Sequence, residues 1–449
     1  MKFPKAVSRT GVVFFPAFDW SISPTHPERE ERLLYTRDQI FEEGLFDIEG
    51  IVEYLPAIAT VKDIERVHAV FPSTKRIVTP SHFISAGGAI EAARSVMDGE
   101  VKKAFALVRP PGHHAMRVVY GLRGFCVVNI EAVMIEHLRK KYGPLRVAVI
   151  DTDCHHGDGT QDIYWNDPDT LFVSLHQDGR TLYPGSGFPG EFGGPGGYGA
   201  TINVPLPPGT NDEGYLYVLD NLVLPILEEW KPDLIINSAG QDNHFSDPIT
   251  NMAVTAEGYA SITRKLNPDV AVLEGGYSIQ SALPYVNMGI LLAMAGLDTS
   301  RVIEPDFHPG VLKLSEKTAE YLKRLCELLL ARFRGREELA IKEFGSRIHH
   351  ETSYVVYHDE TGISEERSER VRVCPDCRGV SLMSSRAPGR GSVFIANVPL
   401  GACPVCTTEG FDSFEAVRDS DYDLALLQDR PKDEVEKKGR LACEGDDED

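Results

Sequence analysis

Arg146-Val147-Ala148-Val149-Ile150-Asp151-Thr152-Asp153-Cys154-His155-His156-Gly157-Asp158-Gly159 passes from a short β-branched apolar run straight into a cluster of carboxylates and imidazoles. The run reads as a strand, and the same motif recurs on either side of it. Ala104 to Val108 precedes a helical pattern over Ile130 to Lys140. Arg146 to Ile150 is followed by Gln161 to Trp165, Thr170 to Leu175 by Gly214 to Trp230, and Leu234 to Ser238 by Ala256 to Lys265. Val270 to Leu273 closes the series. Such alternation predicts an α/β fold with a central, mostly parallel sheet flanked by helices. The polar residues sort to one end of it. Arg109 to His114, Asp151 to Asp158, His176, Asp242 and Gly275-Gly276-Tyr277 each follow one of these strands, where open α/β sheets place their ligands.

At 449 residues and 42% hydrophobic content the chain can bury a large core and exceeds the usual single-domain size, so a large domain with an appendage is expected. A formal net charge of −21 disfavours phosphate-backbone binding and makes nucleic acid an unfavourable partner. The apolar stretch Gly11 to Phe15 is too short for a signal peptide. No run, Gly289 to Leu297 included, approaches the roughly 20 apolar residues of a spanning helix. A cytoplasmic protein without membrane association is expected. Four of the eight cysteines fall in two tight pairs, which in a reducing compartment suggests metal rather than disulfides.

Asp153 and His155 are two apart and project to the same side of an extended segment. Asp242, ending a strand in Ala239-Gly240-Gln241-Asp242, is the best third partner. Two carboxylates and one imidazole leave a position open for water, as a catalytic zinc requires. His113 and His114 are placed to accept a proton and return one to a leaving amine. Asp151 and Asp158 are spare carboxylates able to fix the tautomers of that pair, and Tyr277 offers a hydroxyl to a developing oxyanion. Each residue alone could be a buried, hydrogen-bonded polar group. As a set they carry more buried charge than packing supports unless the charges are paired or bind metal.

The chain resembles the zinc-dependent histone deacetylase family of the arginase/deacetylase superfamily, including its prokaryotic members. The resemblance rests on His26-Pro27-Glu28-Arg29, Arg109 to Ala115, Gly124-Phe125-Cys126 with Asn129, and Asp151 to Gly159. It continues through Ser174-Leu175-His176, Tyr183 to Gly187, Asp242 with Asp247-Pro248, and Glu274-Gly275-Gly276-Tyr277. It implies a three-layer fold, a catalytic Zn2+ on Asp153, His155 and Asp242, and the histidine pair backed by Asp151 and Asp158. Tyr277 would polarise the carbonyl. Phe125 and Tyr183 match the aromatic walls of an acyl-lysine tunnel, with Gly276 and Ile249 also at the substrate. Asp151, Ser174 and Leu175 fall where the family often binds K+, and Arg32 matches the arginine of an acetate-exit channel. Two departures stand out. Ser81-His82-Phe83-Ile84 lacks the rim aspartate of eukaryotic members, and Ile249 stands where polyamine-selective relatives place a glutamate. Cys154 should point away from Asp153 and His155 and serve packing.

Beyond a long amphipathic helix ending near Phe333, Cys374-Pro375-Asp376-Cys377 and Cys403-Pro404-Val405-Cys406 resemble a small zinc ribbon around a structural Zn2+. Arg370, Arg372, Arg378, Arg386 and Arg390 make this segment locally basic, able to dock an acidic partner, the chain's own tail or nucleic acid, or merely solvated. The expected organisation is a catalytic domain over 1–340, a ribbon-like segment over 348–412 and an acidic, disordered tail over 413–449. The function expected is a zinc-dependent deacetylase acting on an acetylated or short-acylated amine, acyl-lysine or small molecule. A ureohydrolase-like metal hydrolase would leave His113, His114 and Tyr277 unexplained. A catalytically silent acyl-lysine reader would have no need of Tyr277 and both histidines. Assembly into a homo-oligomer is compatible with the sequence.

Overall fold

The computed structural model describes residues 4–441. Eight strands form one sheet: β1 (Lys5–Phe15), β2 (Glu49–Tyr54), β3 (Lys103–Val108), β4 (Val147–Asp151), β5 (Thr170–Gln177), β6 (Thr201–Leu206), β7 (Leu234–Ser238) and β8 (Val270–Val272). Their order is β2-β1-β3-β8-β7-β4-β5-β6, and every neighbouring pair is parallel. The pleat sends alternate side chains to two cores. Along β3, Ala104, Ala106 and Val108 pack under the helices Pro80–Met97 and Ile130–Tyr142, while Phe105 and Leu107 face Ala256–Leu266, Leu283–Met294 and Glu316–Arg334. This is the expected three-layer α/β arrangement. The helix expected over Gly214 to Trp230 is interrupted by a π-helical turn over Leu219–Val223, just ahead of Pro225, whose missing N–H breaks the regular ladder.

β3, β8, β7, β4 and β5 are consecutive neighbours in the sheet. Their C-terminal ends carry the five motif-bearing loops, so residues spread from Arg109 to Tyr277 in sequence meet above a few adjacent strands. Among the described residues no helix is long and apolar enough to cross a membrane.

The C-terminal part is larger than a ribbon. Six strands, β9 (His349–His358), β10 (Ile363–Arg372), β11 (Ser381–Ala387), β12 (Gly391–Val398), β13 (Leu424–Asp429) and β14 (Glu434–Lys438), pair in chain order. All pairs are antiparallel except β12 with β13, which the helix Pro404–Ala416 connects. The expectation of a disordered tail from residue 413 is therefore corrected. Leu424-Ala425-Leu426-Leu427-Gln428-Asp429 is buried along its whole length, an apolar run hidden by averaging composition over its acidic surroundings. The acidic run Glu444 to Asp449 lies outside the described residues.

One face of this second sheet packs on the helix Pro404–Ala416 through Val398, Phe414 and Leu427. The other face shares a core with the catalytic part, in which Phe71 and Tyr120 meet Ile363, Met383, Ile395 and Leu426. Ion pairs rim the contact: Arg117 with Glu369 at 3.0 Å, Arg367 with Asp162 at 2.8 Å, Arg378 with Asp167 at 2.7 Å and Arg66 with Asp433 at 2.5 Å. Of the arginines read as a docking surface, Arg378 meets Asp167 and Asp169, and Arg372 meets Glu409 at 2.8 Å. The acidic partners of these two belong to the chain itself.

Candidate active site

Asp153, His155 and Asp242 come together: one ligand atom from each lies within 4.8 Å of the others, and all three residues are buried. His155 Nδ1 is 2.9 Å from Asp242 Oδ2 and 3.2 Å from Asp153 Oδ1. The carboxylates are held from behind. Asp153 accepts the Gly275 and His155 amides, and Asp242 accepts the Cys154 amide at 2.7 Å. Two glycines make room: a Cβ at Gly240 would stand 2.0 Å from Asp153 Oδ2, and one at Gly275 would stand 2.3 Å from Asp242 Oδ2. Burial and then the charge of Asp153 push the Asp242 carboxyl up. Burial opposes ionisation of Asp153 as well, but His113 and His155 hold its carboxyl well below the usual range. Two converging buried carboxylates sharing one imidazole fit a divalent cation.

His113 and His114 stand beside this trio, their rings 4.1 Å apart. His113 Nδ1 is 3.1 Å from Asp151 Oδ2, and its Nε2 is 3.7 Å from Asp153. His114 Nδ1 is 2.7 Å from Asp158 Oδ1. The two imidazoles are driven apart in basicity. Burial lowers His113, yet Asp153 and Asp151 outweigh it and raise its pKa well above 6.5. Burial and the neighbouring His113 lower His114 to about 3.

Tyr277 is almost wholly buried; its amide donates to Asp247 Oδ2 at 2.8 Å and burial keeps its phenol protonated. The Phe125 ring meets it edge-on at 5.5 Å, and Tyr183 packs edge-on against His114 at 5.2 Å. Gly276 presents its carbonyl to Arg32 Nε at 2.8 Å. Ile249 is half-buried, its amide on Asp247 Oδ1. Asp151 lies opposite Ser174 in the β4–β5 register. The stretch 81–84 lies in the helix Pro80–Met97.

Two residues of this shell, Glu28 and Glu274, stand in the matching motifs without a role, and a third, Arg123, stands in none of them. Glu28 is fully buried between Arg32 at 2.8 Å and Arg109 at 2.7 Å, which steadies the Arg32 guanidinium 5.0 Å from the Tyr277 ring. Glu274 accepts the amides of Gly112 and His113, fixing the turn that presents the histidine pair. Arg123 donates to Asp158 and neutralises it from the far side of His114. The Glu28 and Glu274 motifs were visible, but the spacing of their partners, 81 and 162 residues away in two cases, gave no signal.

Cys374, Cys377, Cys403 and Cys406 also converge, each offering a sulfur within 4.8 Å of the rest. Backbone hydrogen bonding at Cys406 and the neighbouring thiols lower Cys403 to about 7, which favours the thiolate a metal needs.

The sequence matches the histone deacetylase domain over residues 70–290. A probable deacetylase of Archaeoglobus fulgidus is 46% identical over 325 residues, covering 66% of this chain and 89% of that protein. The acetoin utilization protein AcuC of Bacillus subtilis is 30% identical over 334 residues, covering 66% and 84%. Among solved structures, the HDA15 HD domain superposes with a TM-score of 0.64 at 27% identity, covering 76% of this chain and 99% of that one. The fold and site thus define an α/β protein of the arginase/deacetylase superfamily with a metal-capable Asp-His-Asp group. The chain belongs to the histone deacetylase family, and that membership supports hydrolase activity of the deacetylase type.

Proposed function

We propose that this protein is a zinc-dependent deacetylase hydrolysing the amide of an acetylated or short-acylated amine, acyl-lysine or small molecule. The observation that carries the reading is the convergence of Asp153, His155 and Asp242 beside two histidines, each backed by its own carboxylate. A divalent cation held by that trio supplies polarisation of the amide carbonyl and acidification of the attacking water. The remaining work falls to side chains. Asp158 takes the Nδ1 proton of His114 as a hydrogen bond, leaving Nε2 to accept a proton from the water and deliver it to the amine. His113, between Asp151 and Asp153, supplies positive charge and orientation. Tyr277 donates to the oxyanion, with Arg32 beside its ring. Phe125 and Tyr183 form the walls of the channel that the acyl chain enters, with Ile249 and the Gly276 backbone near the scissile group. The four cysteines suit a closed structural zinc.

The test is acetate release from a panel of acetyl-lysine peptides, acetylated polyamines and small acylated amines, using protein whose zinc content has been measured. Turnover of any of them that tracks zinc loading supports the proposal. Silence across the panel with the three-residue site fully loaded would overturn it.

A further inference from the structure

The turn between β9 and β10 leaves the C-terminal sheet and reaches the loops that carry Phe125 and Tyr183. Asp359 Oδ1 accepts the Gly124 amide at 3.0 Å and the Tyr183 hydroxyl at 3.1 Å. One carboxylate oxygen thus ties the peptide preceding one aromatic wall to the tip of the other. Phe125 needs such a tie: its φ of 71° is a left-handed conformation that a non-glycine residue keeps only where its surroundings enforce it. The same turn places Glu360 3.6 Å from His26, whose ring packs edge-on against Phe125 at 4.3 Å. Two residues before Asp359, the Tyr357 carbonyl accepts from Arg123, the guanidinium that also grips Asp158 behind His114.

We propose that this turn is a working part of the active site and that Asp359 is a positioning residue, fixing Tyr183 and Phe125 so that an acyl chain is aligned with the histidine pair. The inference rests on the deacetylase reading of the site. Hydrogen bonds to an ionised carboxylate are stronger and more directional than neutral ones, so a single oxygen can hold both walls. A displaced wall misaligns the scissile amide, and small misplacements are costly in rate. The second sheet would then be required for substrate use, beyond its packing on the catalytic domain.

The experiment uses the full-length, zinc-loaded protein with an acetyl-lysine peptide, and compares Asp359→Ala, Asp359→Asn, Tyr183→Phe and the Asp359→Ala/Tyr183→Phe double variant. Asp359→Ala should lower kcat/KM about tenfold, mostly through kcat, as expected when a bound chain is misaligned. Asp359→Asn keeps an acceptor oxygen and should recover most of that loss. The double variant should be less impaired than the product of the single effects, because the two residues share a hydrogen bond. Hydrogen exchange at the Gly124 amide should quicken in Asp359→Ala while melting temperature stays close to wild type. Wild-type kcat/KM in Asp359→Ala, equal losses in the Ala and Asn variants, or strictly multiplicative effects in the double variant would each overturn the role. Should Asp359→Ala fail to fold, Asp359→Glu decides: an unchanged kcat/KM overturns the proposal, and a lowered kcat at unchanged melting temperature supports it. No turnover by the wild-type protein would instead sink the deacetylase reading itself.

Discussion

His114 has one nitrogen committed to Asp158 and the other free for chemistry, whereas Asp153 is committed to the proposed metal. The two kinds of residue should therefore fail differently. Tyr277→Phe and His114→Ala should each lower kcat by about 100-fold or more while zinc stays bound. Asp153→Ala should empty the site. Metal analysis of the three purified variants checks this, and equal zinc loss in all of them would mean the roles are misassigned. A residue outside the metal-binding trio and the histidine pair sets a pH limit on stability. His68 is buried with both ring nitrogens occupied, Nδ1 on the Met116 carbonyl at 2.8 Å and Nε2 accepting the Asn129 amide at 2.9 Å. Protonation would break the second bond, and burial lowers its pKa from 6.5 to about 4. Between those values the unfolded chain binds a proton that the folded chain refuses, so stability falls as pH drops from 6.5 toward 4 and levels off below. The contribution of this group is about 3 kcal/mol. Urea unfolding at stepped pH should show a shallower acid decline for His68→Gln than for wild type; parallel curves would refute the assignment.

The strands that carry chemistry were readable because each is a short apolar run ending in polar residues, and β3, β4, β5, β7 and β8 lie within about two residues of their sequence-derived positions. β13 escaped because four apolar residues, Leu424 to Leu427, and Gln428 sit in an acidic stretch whose average composition resembles a disordered tail. The four-cysteine cluster was legible from its spacing, but the strands between its halves were not. Its elements also make a prediction. The knuckles join the end of β10 to the start of the helix Pro404–Ala416, so losing the metal should loosen the second sheet first. Cys374→Ser/Cys377→Ser should lower the melting temperature by several degrees and split the transition in calorimetry. A single transition at the wild-type temperature would show that the cluster contributes nothing to folding.

At the scale of the molecule, the second sheet covers Phe71 and Tyr120 and supplies the cations that face Asp162 and Asp167. A chain ending after Phe344 would bare that apolar face and strip Arg367 from Asp162, while Asp167 would keep Arg139 at 2.6 Å. It should be markedly less soluble and less stable than the full-length protein, in contrast with the separable appendage that its cysteine spacing suggests. Light scattering and thermal unfolding of the truncated chain check this, and a monodisperse fragment of unchanged stability would disprove it.

Sequence alone determined the parallel α/β architecture and the trio Asp153, His155 and Asp242 with the histidine pair, because strand periodicity is local and each motif sits immediately beyond a strand. Tertiary structure alone decided that Arg109 joins Glu28 from 81 residues away, that Arg123 braces Asp158, and that Asp359 reaches Tyr183 from 176 residues away. Those contacts join side chains whose separation along the chain has no period to read. Folding of the first sheet brings the first two pairs within hydrogen-bonding distance, and only packing the second sheet against it brings Asp359 to Tyr183.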